Sequence, residues 1–271
     1  MKKILALLLA MFMIATLVAC SNDEGDENAL ESFKLDENVF TNNNIGTFTY
    51  DVSADGHYEI TGYIVKVSTE HEVVIPETIN DVLVTSIAPD AFKSCTSVTS
   101  VTIPSSVKYI GDFAFYDCDK LTKVTMTDSV IEIGVGAFRS CDLLDNVVLP
   151  ASLTSISNQL FWECSSLANI TFGNAITVIG EGAFYNCDAL TAITVPSTVT
   201  EIKTTAFYGC DALASVTVPE SVKVVGDAAF SNIAAEKVTF SAKAGSYFAT
   251  YFETVYGINQ KEYAHYEFKA N

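Results

Sequence analysis

The stretch IPSSVKYIGDFAFYDCDKL (103–121) returns as VPSTVTEIKTTAFYGCDAL (195–213), and laying one on the other decides the fold. Phenylalanine recurs every 23 residues, at Phe92, Phe115, Phe138, Phe161, Phe184, Phe207 and Phe230. A cysteine follows each of the first six by three residues, at Cys95, Cys118, Cys141, Cys164, Cys187 and Cys210. Ile110, Ile133, Ile156, Ile179 and Ile202 hold a second column, Leu121, Leu144, Leu167, Leu190 and Leu213 a third, and an Ala precedes all but one of the Phe residues. A unit this short cannot bury its own apolar side, so each copy must stack on its neighbours. Each reads as a short Val-Thr-Val-Pro-like strand, a turn, Ile-Gly, a helical turn carrying Ala-Phe-x-x-Cys, and then Leu. Seven in-register units at strand spacing of about 4.8 Å predict a ladder roughly 30 Å long.

The same segments resemble the BspA-like, or treponemal-type, bacterial leucine-rich repeats over about residues 72–240. Departures are local. Pro104, Pro150, Pro196 and Pro219 give way to Thr127 and Gly173, and Ile233 replaces the last Cys. The resemblance implies a leucine-rich repeat solenoid, β-rich with short helical turns. It also implies a surface protein that binds host proteins or other cells.

Outside the repeats the chain changes character. Lys2-Lys3 precede an uncharged apolar run ending at Ala19, which reads as a secretory signal over 1–19, too short to span a membrane. Leu17-Val18-Ala19-Cys20 resembles a bacterial lipobox, which makes Cys20 the lipidated first mature residue and the lipid the membrane anchor. Residues 20–45 read as an acidic flexible tether, in which Asp23, Glu24, Asp26, Glu27, Glu31, Asp36 and Glu37 face only Lys34. Residues 46–82 read as an N-terminal β-hairpin cap with the first repeat strand, because Phe48, Tyr50 and Val52 alternate before the turn Asp55-Gly56, and Tyr58 and Ile60 after it. The repeats occupy 83–240. Residues 241–271 read as a C-terminal helical cap, with Ser246 as its N-cap, Tyr247, Phe248, Tyr251, Phe252, Val255 and Tyr256 on its apolar side and Gly257 to stop it.

Removing Lys2 and Lys3 takes the net charge from −18 to −20. Such a surface repels phosphates, so nucleic acid is no expected partner, and the membrane is met only through the N-terminal lipid. The cysteine column is expected to be buried thiols rather than bridges, since equivalent side chains in a stack point the same way into one core. The residues after each cysteine, among them Asp119, Asp142, Asp188 and Asp211, raise a calcium ladder. No second carboxylate repeats beside them, so they are read as acceptors of backbone hydrogen bonds, and no metal or cofactor is expected. His57, His71 and His265 lie outside the repeats beside no nucleophile, and Gly134-Val135-Gly136 and Gly180-Glu181-Gly182 lack the third glycine of a dinucleotide loop. No catalytic residue is assigned.

Two exposed columns remain as candidate binding surfaces. One is the outward side of the strands: Thr102, Thr125, Val148, Thr171, Thr194, Thr217 and Thr239, flanked by Ser100, Lys123, Asn146, Asn169, Ala192, Ser215 and Lys237. It would offer a flat hydroxyl array to a protein, a glycan or ice, or be simply the polar side of exposed strands. The other follows each repeat Phe: Lys93, Tyr116, Arg139, Trp162, Tyr185 and Tyr208. These residue types dominate interface hot spots, and they equally suit an edge that packs on itself with Arg139 between rings. The function expected is a non-enzymatic cell-surface lipoprotein for recognition or adhesion, its partner a host or microbial surface protein or a glycan. A structural spacer or envelope scaffold is the other reading.

Overall fold

The computed structural model of the chain describes residues 38–42, 46–65, 69–256 and 263–270. The signal segment, Cys20 and most of the expected tether lie outside the described residues. The repeats wind into a β-solenoid in which every coil contributes two short strands. The first strand places one inward residue between two outward ones, as in Lys123–Thr125, Asn146–Val148, Asn169–Thr171 and Ser215–Thr217. The second has two residues, as in Tyr109–Ile110, Glu132–Ile133 and Glu201–Ile202. Each strand pairs in parallel with its counterpart one coil away, so Asn146 sits beside Asn169 and Ile179 beside Ile202.

This in-phase pairing delivers identical side chains to identical depths. The Phe rings from Phe92 to Phe230 form one continuous parallel stack, with centroids 4.9 to 5.9 Å apart and planes within 21° of each other. Beside them Cys118, Cys141, Cys164, Cys187 and Cys210 are fully buried free thiols. Each donates to the carbonyl of the previous coil's Phe, as Cys164 does to Phe138 at 3.0 Å. Cys95 is as fully buried as its followers. It heads the column, and no earlier coil supplies the Phe carbonyl that its followers use.

The segment carrying each Phe is turned backbone in which the residues two before and two after the ring are left-handed. Gln159 and Glu163 frame Phe161 in this way, and Gly182 and Asn186 frame Phe184. Side chains also staple coil to coil at the repeat spacing: Asp112 accepts from the Val135 N–H at 2.7 Å, and Asp128 from that of Ala151 at 2.8 Å.

Neither sheet runs unbroken. The sheet of two-residue strands is interrupted between Glu132–Ile133 and Ser155–Ile156. There Ser157 replaces the glycine that follows Ile133, and its hydroxyl binds the Ile133 carbonyl. The other sheet is interrupted between Asn169–Thr171 and Ala192–Thr194, where Gly173 stands in place of proline and Phe172 turns edge-on to Phe184.

Aromatic rings close both ends of the stack. The antiparallel strands Gly46–Val52 and Tyr58–Val65 bring Phe48 and Tyr63 onto Phe92, at 6.4 and 5.5 Å. At the other end Phe240 and Phe248 meet Phe230 edge-on, at 5.4 and 5.8 Å. Phe248 belongs to the helix Tyr247–Val255, whose N-cap Ser246 accepts from Ala249; Tyr247 points outward rather than with the apolar side expected of it. The other end differs from expectation too. Val39–Asn42, placed in the tether by charge, is a strand paired with Gly46–Val52, since Phe40 packs on the core. Tyr266–Ala270 forms a last strand parallel to Val238–Ala242, beyond the expected helix. Val238–Ala242 itself is shifted: Ser215 pairs with Thr239 and Thr217 with Ser241, a spacing of 24 that moves Thr239 out of the threonine column.

Phe161 lies fully buried between Phe138 and Phe184. Phe161→Ala is expected to lower unfolding free energy by about 3–5 kcal/mol, read from urea midpoints; a loss under about 1 kcal/mol would mean the stack does not hold the fold. Burial pushes the thiols of Cys118, Cys164 and Cys210 up to about 12 and those of Cys141 and Cys187 well above their ordinary 9.0. The folded form therefore holds these protons longer than the unfolded chain. The stability they contribute is complete below about pH 9 and is lost as pH rises from there toward the folded values, by about 1.4 kcal/mol per thiol per pH unit. Urea midpoints should fall steeply above pH 9, with a shallower slope in Cys164→Ala. An equal slope in that variant would show the thiol to be solvated.

Candidate recognition surface

On the first sheet every strand alternates, so one residue between two enters the core and its neighbours face out. Thr102, Thr125, Asn146, Asn169, Thr171 and Thr194 are exposed there, and Thr217 is half buried. Parallel registry sets them in two straight rows, Ser100, Lys123, Asn146 and Asn169 in one, Thr102 beside Thr125 and Val148 beside Thr171 in the other. From Val98–Thr102 to Val238–Ala242, Lys123 is the one charged residue in these rows, in a chain of net charge −18. The acids lie elsewhere, and the rows present hydroxyls, amides and methyl groups.

The aromatic column is engaged with itself. Trp162 and Tyr185 lie 3.8 Å apart at 4°, and Tyr185 and Tyr208 4.9 Å apart at 11°. The Arg139 guanidinium stacks 5.1 Å from the Trp162 ring and 5.9 Å from that of Tyr116, and Lys93 covers the outer side of Tyr116. Gly182, left-handed at φ +57°, makes room for this, since a Cβ there would meet the Trp162 ring at 2.6 Å. Both faces of Tyr116, Trp162 and Tyr185, and one face of Tyr208, are taken up within the molecule.

A third feature escaped the reading of the sequence. Asp119, Asp142 and Asp188 accept no side-chain hydrogen bond from the backbone among the described residues, contrary to the role expected for them. The turns close through their own backbone, as in Leu121 N–H to Cys118 O at 3.0 Å. The carboxylates instead line a shallow groove of about 360 Å³, where Asp117 and Glu163 join them. Those two are the second carboxylates judged missing; they occupy one column in alternate coils, with Ser140 and Asn186 between. Partial burial and then neighbouring charge raise Asp119, Asp142 and Asp188 above the ordinary carboxylate range. No group of three or more metal-binding side chains comes together among the described residues.

The histidines serve local structure. Imidazole of His57 pairs with Asp55 at 2.9 Å, buried His71 sits between the Tyr63 hydroxyl and the Thr69 carbonyl, and His265 meets the Ile233 carbonyl. No helix among the described residues is long and apolar enough to cross a membrane.

Comparison with known proteins agrees with this architecture. The family described as BspA type leucine-rich repeat region matches residues 85–203 and 177–263, in six copies. A T. pallidum leucine-rich repeat protein is 30% identical over 83% of this chain and 97% of its own, with a TM-score of 0.59. A leucine-rich repeat protein of Eubacterium ventriosum shares the fold at 24% identity and a TM-score of 0.61, over 74% of this chain and 53% of that one. A leucine-rich cell surface protein of Faecalibacterium prausnitzii is 26% identical over 74% of this chain and 76% of that one, at a TM-score of 0.45. No curated protein matches.

Proposed function

Since the chain belongs to the BspA-type leucine-rich repeat family, we propose that it is an exported, lipid-anchored, non-enzymatic protein whose open sheet face recognises a host or microbial surface protein. The observation that carries this reading is the charge-poor face on an otherwise acidic molecule. Charged side chains cost most where an interface must desolvate them, and interface centres are depleted in them. One residue from each coil makes an extended surface of the kind repeat proteins use. The aromatic column supports the edge of the solenoid instead, because its faces are occupied. A glycan remains a second class of ligand on the same face, favoured by its hydroxyls and amides, while the absence of ring platforms from those rows favours protein.

Two variants separate face from edge. Thr125→Lys with Thr171→Lys puts two cations on the sheet face; Trp162→Ala with Tyr185→Ala removes the middle of the stack. Binding to immobilised matrix and cell-surface proteins is expected to be lost in the first at unchanged melting, and kept in the second at lowered melting. Retention by the first variant would return the chain to the spacer or scaffold reading.

The anchor proposal rests on Leu17-Val18-Ala19-Cys20. Cells fed labelled palmitate should label the protein, and Cys20→Ala should abolish the label and release it from membranes. Mass spectrometry finding an unmodified N-terminus at Cys20 or later would refute the anchor.

A further inference from the structure

On the sheet face, besides the break after Asn169–Thr171, the ladder opens at one more place. Ser100 to Thr102 pair through three residues with Lys123 to Thr125, and Asn146 to Val148 through three with Asn169 to Thr171, but only Asn146 and Lys123 hold the junction between them. In four coils the N–H after the strand, that of Ile103, Leu149, Val195 or Val218, reaches the next coil's carbonyl at 2.9 Å. Met126 occupies that position here, followed by Thr127 rather than proline, and makes no such bond to Val148 among the described residues.

The opening is a groove of about 440 Å³ whose lining includes Lys123, Thr125, Met126, Asn146 and Val148. Val148 is 60% exposed, the highest value for a large apolar side chain among the described residues, and Met126 is half buried beside it. Lys123 has no ion-pair partner among the described residues. The single acid of the lining, Asp145, precedes Asn146, on the side away from Val148.

An apolar spot ringed by polar groups has the anatomy of an interface anchor, and methionine adapts its shape to what it covers. An unpaired cation at its rim selects an anion, and the freed Met126 N–H can take a backbone carbonyl. Building on the sheet-face reading above, we propose that this groove anchors a partner protein's loop through a bulky aliphatic side chain carried next to one carboxylate.

Met126 is the only methionine after Met13, so its methyl is a clean reporter. The full chain, methyl-labelled at Met and Val, is titrated by NMR with N-acetyl-leucine and with N-acetyl-leucinamide. N-acetyl-leucine should shift Met126 and Val148 saturably and bind about three- to fivefold more tightly than the amide. Lys123→Gln should abolish that preference, Val148→Thr should abolish both responses, and Lys223→Gln, beside the strand Val224–Val225 of the other sheet, should change neither. Absence of a saturable shift at Met126, or the same preference in Lys123→Gln, overturns the proposal. In the partner assay above, loss with Thr125→Lys and Thr171→Lys but retention with Val148→Thr would discard the groove and keep the sheet face. Retention by both would discard the sheet face and the groove with it.

Discussion

Everything in this molecule depends on like stacking on like at one fixed spacing. A single Phe in a short coil has no core of its own; its burial is supplied by the same residue one coil before and one coil after. The buried thiols, the Leu and Ile columns and the Asp112 and Asp128 staples obey the same constraint. Energetics of this kind are nearest-neighbour energetics: each coil is worth what its two interfaces are worth, and the ends must be made from something else. Here the ends are made from other rings: Phe48, Phe240 and Phe248 meet the stack edge-on, and Tyr63 lies over Phe92 at 27°, so neither end leaves a raw face.

What was legible in the sequence follows from the same fact. The core columns and the outward rows could be read because period and alternation translate directly into depth and side. Reading failed wherever the period lapsed. Val39–Asn42 was hidden by its acidic surroundings, and Tyr266–Ala270 by the helix before it, although Tyr266 and Phe268 alternate in plain view. One inserted residue before Phe240 sets the last repeat strand 24 residues from its neighbour, so aligning Val238-Thr239-Phe240 with Val216-Thr217-Val218 by residue type places it in the wrong register. The second acidic column was invisible because Asp117 and Glu163 occupy alternate coils and look like noise until the coils are stacked.

The division of charge also has a physical logic. Carboxylates crowd one edge, where partial burial and then their neighbours' charge raise their pKa, and the sheet face is kept nearly free of them. A repeat protein multiplies whatever one coil displays, so a single acid per coil becomes a charged strip and a single threonine becomes a row. Alternating Asp117 and Glu163 with Ser140 and Asn186 holds the strip's density down. Left-handed backbone at these same positions adds a preference for Asn, Asp and Gly, which narrows the residues that can dilute it.

The two interruptions in the sheets fall on different joints, with one fully paired joint between them. Between the units of Phe138 and Phe161 the sheet of short strands is cut, and in the other sheet only Asn146 and Lys123 pair across the joint. Between the units of Phe184 and Phe207 the pattern reverses, with Val178–Ile179 and Glu201–Ile202 joined beside the cut in the other sheet. As in brickwork laid with offset seams, no plane through the wall crosses both gaps. A protein tethered at one end and pulled at the other would find its thinnest course between the units of Phe138 and Phe161, where a single strand pair spans the joint, while the fully paired course beyond it keeps the two flaws from merging.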